Sequence, residues 1–251
     1  MKATLVQTDI VWGNPAQNRQ HIAALLDKAG QADLYVLPEM FSTGFMTHPN
    51  DGIKADTTSL EWMRQQAVTR HSALAGSLIT EDGGKLYNRF FFVYPDGSVK
   101  QYDKRHLFKY GGEDQVFSPG HERVIVDYAG FRILLQVCYD LRFPVFSRNQ
   151  HDYDLAVYVA NWPTARMKAW TTLLHARAIE NQCYVIGVNR VGKAPYATYS
   201  GGSEIIDALG HTLAACGQGE AAVASAELRL APLEAYRREF PVLEDADTFN
   251  I

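Results

Sequence analysis

The chain alternates short, continuously apolar runs with longer segments whose apolar residues recur at helical spacing. Continuous runs rich in branched and aromatic residues predict buried strands. Such runs occupy residues 2–10, 32–39, 73–80, 86–95, 97–104, 123–137, 153–161, 183–192 and 201–216. Helical spacing covers residues 15–30, 57–71 and 165–182, and we expect a helix in each.

Two kinds of connection join the predicted strands. The segments EDGGK and PDG are typical of hairpin turns and therefore predict antiparallel pairs. Apolar strands that alternate with helices indicate sheets covered on at least one face. The pattern predicts an α/β sandwich of two mixed sheets with helices outside. No linker or repeat divides the chain, so we expect one domain over residues 1–251, with an extended tail from about residue 240.

Composition narrows the classes of protein to consider. The 251 residues are 47% hydrophobic and 21% charged, with a net charge of −4 and no dense basic run, which argues against nucleic-acid and membrane partners. The N-terminus lacks the pattern of a signal peptide. Three sparse cysteines argue against a disulfide framework or a structural zinc site, and we expect a cytoplasmic protein.

Cys138 lies where the apolar run FRILLQV ends and the turn YDLRFP begins. A side chain at such a strand-to-helix turn is raised out of the sheet, as at a nucleophile elbow. A thiol in that role needs a lowered pKa and a base. A lone cysteine is otherwise an inert core residue.

Two further strand ends carry groups that would serve a nucleophile. Glu39 follows the buried run LYVLP, and Lys104 follows the strand ending in KQYD. A carboxylate can carry protons, and an ammonium can stabilise an oxyanion. Each residue alone is more often an exposed charge at a strand end. Together with Cys138 they form a coherent catalytic set, although their spacing does not show that they converge.

Two other interpretations remain open at this point. Cys138 could pair with His106 or His175 in a Cys–His peptidase, although neither histidine lies in a partner motif. The chain could also be a non-enzymatic scaffold. A scaffold has no need for a glutamate, a lysine and a cysteine together at strand ends.

Three segments, LPEMFSTGF, YDKRHLF and CYDLRFP, resemble in this order the signature segments of the nitrilase superfamily of carbon–nitrogen hydrolases. The resemblance implies an α-β-β-α four-layer sandwich and a catalytic triad of Glu39, Lys104 and Cys138. It implies that Glu113 supports Lys104 and orients the substrate. The backbone N–H of Tyr139 would help to hold the oxyanion, and the reaction would pass through a cysteine thioester without metal or organic cofactor.

Residues 158–192 and the final segment FPVLEDADTFNI are most similar to bacterial ω-amidases. The resemblance implies hydrolysis of the terminal amide of 2-oxoglutaramate or 2-oxosuccinamate. Hydrolysis of an N-carbamoyl amino acid by the same triad is the alternative. Val145 departs from the glutamate that is common in the superfamily.

Such a substrate carries a distant carboxylate, which requires cationic or hydrogen-bonding groups in the pocket. Residues near the motifs that could form this pocket are Tyr110, Arg142, Asn161 and Trp162, with Lys109 and Arg166 as further candidates. The superfamily also implies a homodimer. The helix at 165–182 has an apolar face that could form the dimer interface. Packing against the core of the same chain explains that face equally well.

Overall fold

The computed structural model describes residues 1–248. Its five α-helices are α1 Pro15–Ala29, α2 Thr57–Arg70, α3 Pro144–Ser147, α4 Met167–Glu180 and α5 Leu230–Glu239. Its strands are β1 Lys2–Gln7, β2 Leu34–Val36, β3 Ala73–Asp82, β4 Lys85–Val93, β5 Val99–Asp103, β6 Ile125–Tyr128, β7 Phe131–Val137, β8 Leu155–Ala160, β9 Tyr184–Asn189, β10 Val191–Ala194, β11 Ala197–Ser200, β12 Glu204–Ile206, β13 Thr212–Ala215 and β14 Ala222–Glu227.

Two six-stranded sheets share one plan. The first has the order β14-β1-β2-β3-β4-β5 and the second β13-β12-β9-β8-β7-β6. The central strands β1, β2 and β3, and likewise β7, β8 and β9, run parallel, and the outer strands pair antiparallel. Strands β10 and β11 form a separate hairpin.

The apolar core explains how the layers stack. One cluster joins side chains from both sheets, including Leu5 and Phe90 of the first and Leu135 and Val157 of the second, so the sheets pack face to face. A second cluster packs α1 and α2 onto the other face of the first sheet. With α4 on the second sheet, the layers are α-β-β-α. The predicted four-layer sandwich is confirmed.

Helix α4 packs directly against the second sheet at Gly187 of β9, which has no side chain. A Cβ atom there would stand 2.4 Å from Leu174 Cδ1, well inside van der Waals contact. Leu174 and Trp170 of α4 are fully buried as a result. Among the described residues, no helix combines the length and the apolar composition that crossing a membrane requires.

The C-terminal region differs from the expected extended tail. Helix α5 precedes it, and Val242–Asp245 then form a 3-10 helix whose Leu243 side chain is buried. The tail is therefore only partly extended, because an apolar residue within it finds a place in the core. Residues 249–251 of the predicted tail lie outside the described residues.

Candidate active site

Four polar residues follow four strands and meet between the two sheets. Glu39 comes after β2, Lys104 directly after β5, Cys138 directly after β7 and Asn161 directly after β8. Glu39 and Lys104 are buried and only 2.8 Å apart, and the charges of both act on the Cys138 thiol. The structure thus brings together the three residues that the sequence predicts as a set.

The Glu39 carboxylate accepts hydrogen bonds from three protein groups. Its Oε1 accepts from Lys104 Nζ at 2.8 Å and from Asn88 Nδ2 at 2.7 Å, and its Oε2 accepts from the Asn161 backbone N–H at 2.7 Å. A carboxylate offers about four acceptor positions. Among the described residues these contacts leave one position on Oε2 without a partner, and Glu39 lies close enough to Cys138 to act on its thiol.

Glu113, by contrast, is saturated by protein contacts. Both of its oxygens accept from Lys104 Nζ, at 3.0 and 2.9 Å. Asn88 Nδ2 adds a third contact at 3.0 Å, and the Phe108 backbone N–H adds a fourth at 2.6 Å. The two carboxylates raise the pKa of Lys104 above its ordinary value although burial opposes its charge, so Lys104 stays an ammonium. Glu113 is placed to support Lys104, with no acceptor position left for a substrate.

Cys138 occupies a strained turn. Its φ angle is +48°, a left-handed conformation that a non-glycine residue rarely adopts, and it opens a 3-10 helix, Cys138–Arg142. The buried Asp140 carboxylate holds this turn, accepting from the Val137 N–H at 2.9 Å and from the Tyr102 hydroxyl at 2.8 Å. The surroundings therefore impose the conformation that points the thiol away from its strand.

The thiol pKa differs from the expectation of a lowered value. Burial and the nearby Glu39 carboxylate raise the pKa of Cys138 well above its ordinary value, although the Lys104 ammonium opposes them. Burial likewise raises the pKa of Glu113, against the effect of Lys104. Two carboxylates already face one ammonium, so a thiolate would add a further negative charge to a buried site. Cys138 therefore rests as a thiol and needs a base at the moment of attack.

A cavity of about 240 Å³ opens onto Cys138. Its lining is strongly aromatic and includes Trp12, Phe45, Phe108, Tyr139, Trp162 and Tyr199. The predicted wall residues Asn161 and Trp162 both lie in it. The volume is below the usual range of about 300–1,000 Å³ for ligand pockets, which suits a small substrate.

Two arginines line this cavity without a carboxylate partner among the described residues. The Arg142 guanidinium lies 5.1 Å from the ring centre of Trp162, and that of Arg166 lies 5.2 Å from the ring centre of Phe108. Aromatic faces of this kind orient a guanidinium without neutralising it. The wall of the cavity therefore presents two free cations to whatever enters.

The remaining pocket candidates have different positions. Tyr110 lines the cavity but is 89% exposed, so it lies at the rim. Lys109 is exposed and does not line the cavity. Val145 also lies away from it, 57% exposed on α3, so its departure from the superfamily pattern does not change the pocket wall.

The histidines are engaged elsewhere. His106 contacts Asp140 through Nδ1 at 2.8 Å, and His175 contacts Glu204 through Nε2 at 3.0 Å and a backbone carbonyl through Nδ1. Neither histidine is among the groups that act on Cys138. The geometry gives the Cys–His interpretation no support. Within residues 1–248, no cluster of histidine, cysteine or carboxylate side chains is arranged to hold a metal ion.

Asn88 is a site residue that the sequence reasoning missed. Its amide donates to both Glu39 and Glu113, and its oxygen accepts from the Ser77 hydroxyl at 2.9 Å. A signal was available, because Asn88 and Arg89 interrupt the run of apolar residues in β4, KLYNRFFFV. Buried amides need partners, so such a residue points to a polar site beside the strand.

Comparisons with known proteins agree with this geometry. The chain belongs to the carbon–nitrogen hydrolase family, whose model matches residues 2–238. The resemblance to the nitrilase superfamily is thereby confirmed. The omega-amidase YafV of Yersinia enterocolitica is 49% identical over 250 residues, which cover 99% of this chain and 98% of that protein. A 2-oxoglutaramate amidase of Bacillus subtilis is 32% identical over 98% of each chain.

A solved structure shows the same fold. XC1258 of Xanthomonas campestris, described as a CN-hydrolase superfamily protein with an arsenic adduct in the active site, superposes with a TM-score of 0.96. It is 42% identical, and the match covers 100% of this chain and 98% of that one.

Proposed function

We propose that this protein is an ω-amidase that hydrolyses the terminal amide of 2-oxoglutaramate or 2-oxosuccinamate to the acid and ammonia. One observation carries the proposal: the buried Glu39–Lys104 pair acts on Cys138, and Cys138 opens onto a small cavity whose wall also holds the unpaired arginines Arg142 and Arg166. An amide fits the first group and a distant carboxylate fits the second. Relatives named omega-amidase and 2-oxoglutaramate amidase support the same substrate class.

In the acylation step, the Cys138 sulfur attacks the amide carbon while its proton passes to the free position of Glu39 Oε2. The carbonyl oxygen becomes an oxyanion that accepts from Lys104 and from the Tyr139 backbone N–H. One Lys104 N–H can span both oxygens of Glu113 and another can reach Glu39, which leaves the third for the substrate. Tyr139 is the second residue of a helical turn, whose first N–H groups have no partner within the turn.

The first step ends when the carbon–nitrogen bond breaks and the leaving nitrogen takes the proton from Glu39, which releases ammonia. Water then gives a proton to the same oxygen and attacks the thioester carbon. The carbon–sulfur bond breaks, and sulfur recovers the proton from Glu39. The protons balance over one turnover, and Glu39 carries each of them.

An ammonia-release panel with wild type and Arg166→Gln tests the substrate class. We expect wild type to hydrolyse 2-oxoglutaramate and 2-oxosuccinamate far better than butyramide, a small neutral amide without a carboxylate. Since a hydrogen bond to a charged group contributes about 1.5–3 kcal/mol, R166Q should raise KM for the anionic amides about 10- to 100-fold. KM for butyramide should stay the same, because that substrate has no carboxylate.

Arg148→Gln is the matched control, since Arg148 lies outside the cavity and donates to the Glu180 carbonyl. Equal activity of wild type on neutral and anionic amides would contradict the proposal. Carbon dioxide released together with ammonia from N-carbamoyl-β-alanine, with the 2-oxo acid amides inert, would instead identify a carbamoyl hydrolase.

We also propose a cytoplasmic homodimer. Ala169 and Leu173 of α4 pack partly against the core, but Ile179 near its end is 51% exposed. Val145 and Phe240 are also exposed. Arg148, three residues after Val145, donates a hydrogen bond to the Glu180 carbonyl at the end of α4. Gln182, just after α4, donates a hydrogen bond to the Phe240 carbonyl. Exposed apolar side chains gathered in one region are typical of an interface. Sedimentation at the mass of one chain would contradict the dimer.

A further inference from the structure

Tyr199 forms part of the cavity wall and has no role in the mechanism described above. It lies on β11 of the separate hairpin, and its side chain is only 7% exposed. Within the described residues, its hydroxyl makes no hydrogen bond, yet it is not one of the buried polar atoms that are sealed from solvent. The hydroxyl is therefore open to the cavity and available to a bound molecule.

The ring of Tyr199 is held from behind by Arg190. The Arg190 guanidinium lies 4.6 Å from the ring centre and is fully buried. It donates to Asp9 Oδ1 and to the Ile10 carbonyl, both at 2.9 Å, which anchors it to the segment after β1. Because Arg190 is buried and hydrogen-bonded, it supports the Tyr199 ring in the cavity wall before any substrate binds.

The surroundings of the hydroxyl determine what it can do. Burial raises the pKa of Tyr199 to about 12; the Arg190 cation opposes this effect, and the negative charge of the Glu39 carboxylate adds to it. The phenol therefore keeps its proton at neutral pH and can donate it in a hydrogen bond. Tyr199 lines the same small cavity as Cys138 and Arg166, so its hydroxyl shares that space with the reacting centre and with the cationic part of the wall.

We propose that the Tyr199 hydroxyl donates a hydrogen bond to the 2-oxo oxygen of the substrate and thereby selects amides of 2-oxo acids. This inference rests on the proposed function. With the amide at Cys138 and the carboxylate at Arg142 and Arg166, the carbon that bears the oxo group lies between them, in the cavity whose wall includes Tyr199. A pocket donor placed for such an oxygen disfavours analogues that lack it, because the donor is then left without a partner.

The test compares Tyr199→Phe with wild type on 2-oxoglutaramate and on glutaramate, which has the same chain without the 2-oxo oxygen. We expect Y199F to lower kcat/KM for 2-oxoglutaramate by about 10-fold or more and to change that for glutaramate by less than about threefold. The ratio of the two values, measured on one preparation, does not depend on the fraction of protein that is folded.

Tyr184→Phe is the matched control. Tyr184 is equally buried, but its hydroxyl donates to the Arg229 carbonyl at 3.0 Å, away from the cavity. Its removal should leave the ratio at the wild-type value. If Y199F lowered kcat/KM equally for 2-oxoglutaramate and glutaramate, this inference alone would be overturned. Wild type inactive on both amides would overturn the proposed function and this inference with it.

Discussion

Replacing Cys138 with alanine is expected to lower kcat for ammonia release from 2-oxoglutaramate by at least about 10,000-fold, a typical loss for a nucleophile that works with a partner base. The cause is the missing sulfur, since Glu39 and Lys104 have no other group to form the covalent intermediate. Steady-state kinetics with ammonia detection measure the effect. The variant should keep its fold, because Cys138 lines a cavity and its loss creates little new buried space.

Cys183→Ala provides the control for the first prediction. Cys183 is also a free, buried cysteine, but it lies in the core next to β9 and does not line the cavity. Its variant should lose some stability and keep kcat. Ammonia release by Cys138→Ala within about tenfold of wild type would rule out a thioester at this residue, since mechanisms without the nucleophile lose far more.

Lys104→Met is expected to lower the free energy of unfolding by about 3–5 kcal/mol, the usual cost of leaving a buried charge without its partner. The activity should also be lost, because the oxyanion loses a donor. The variant leaves Glu39 and Glu113 facing each other inside the protein. The pKa of Glu113 is already raised with Lys104 present, and removal of the opposing cation should raise it further.

The loss of unfolding free energy in Lys104→Met should increase with pH. A carboxyl whose pKa is higher in the folded than in the unfolded protein stabilises the fold at low pH, and this contribution falls as pH rises through the folded pKa. The deficit of Lys104→Met should therefore be larger at pH 8 than at pH 5, by urea unfolding.

Lys100→Met on β5 is the control, because Lys100 is exposed and should change stability by less than about 0.5 kcal/mol. A deficit of Lys104→Met that is equal at both pH values would show that the carboxyls do not titrate with the fold.

Hydrophobic periodicity was sufficient for most of the fold because both sheets have continuous apolar central strands, such as β8 and β9. The strands it missed lack this signal. Strand β14 is a half-exposed row of small residues, AVASAE, and the hairpin β10–β11 contains glycine, lysine and alanine. Their pairing with distant segments, as between β14 and β1, gives them order that no local pattern indicates.

The site residues that lie at strand ends could be predicted from the sequence. The properties that depend on how deeply a residue is buried could not. Glu39, Lys104 and Cys138 each follow a recognisable strand, so their positions could be inferred. The raised pKa of the thiol could not, because it depends on burial beneath a cavity and on charges from three other segments. No local pattern marks Tyr199 either, since its position depends on Arg190, which follows β9 and is held by the segment after β1.

The single unoccupied acceptor position on Glu39 has a consequence for the order of events. Since Lys104, Asn88 and the Asn161 N–H take the other positions, departing ammonia and incoming water need the same place and cannot share it. In the proposed mechanism, ammonia must therefore leave the site before water can hydrolyse the acyl-enzyme. An external amine that arrives after ammonia has left competes directly with water for Glu39 Oε2. The ratio of acyl transfer to hydrolysis therefore depends on which of the two molecules reaches this oxygen first.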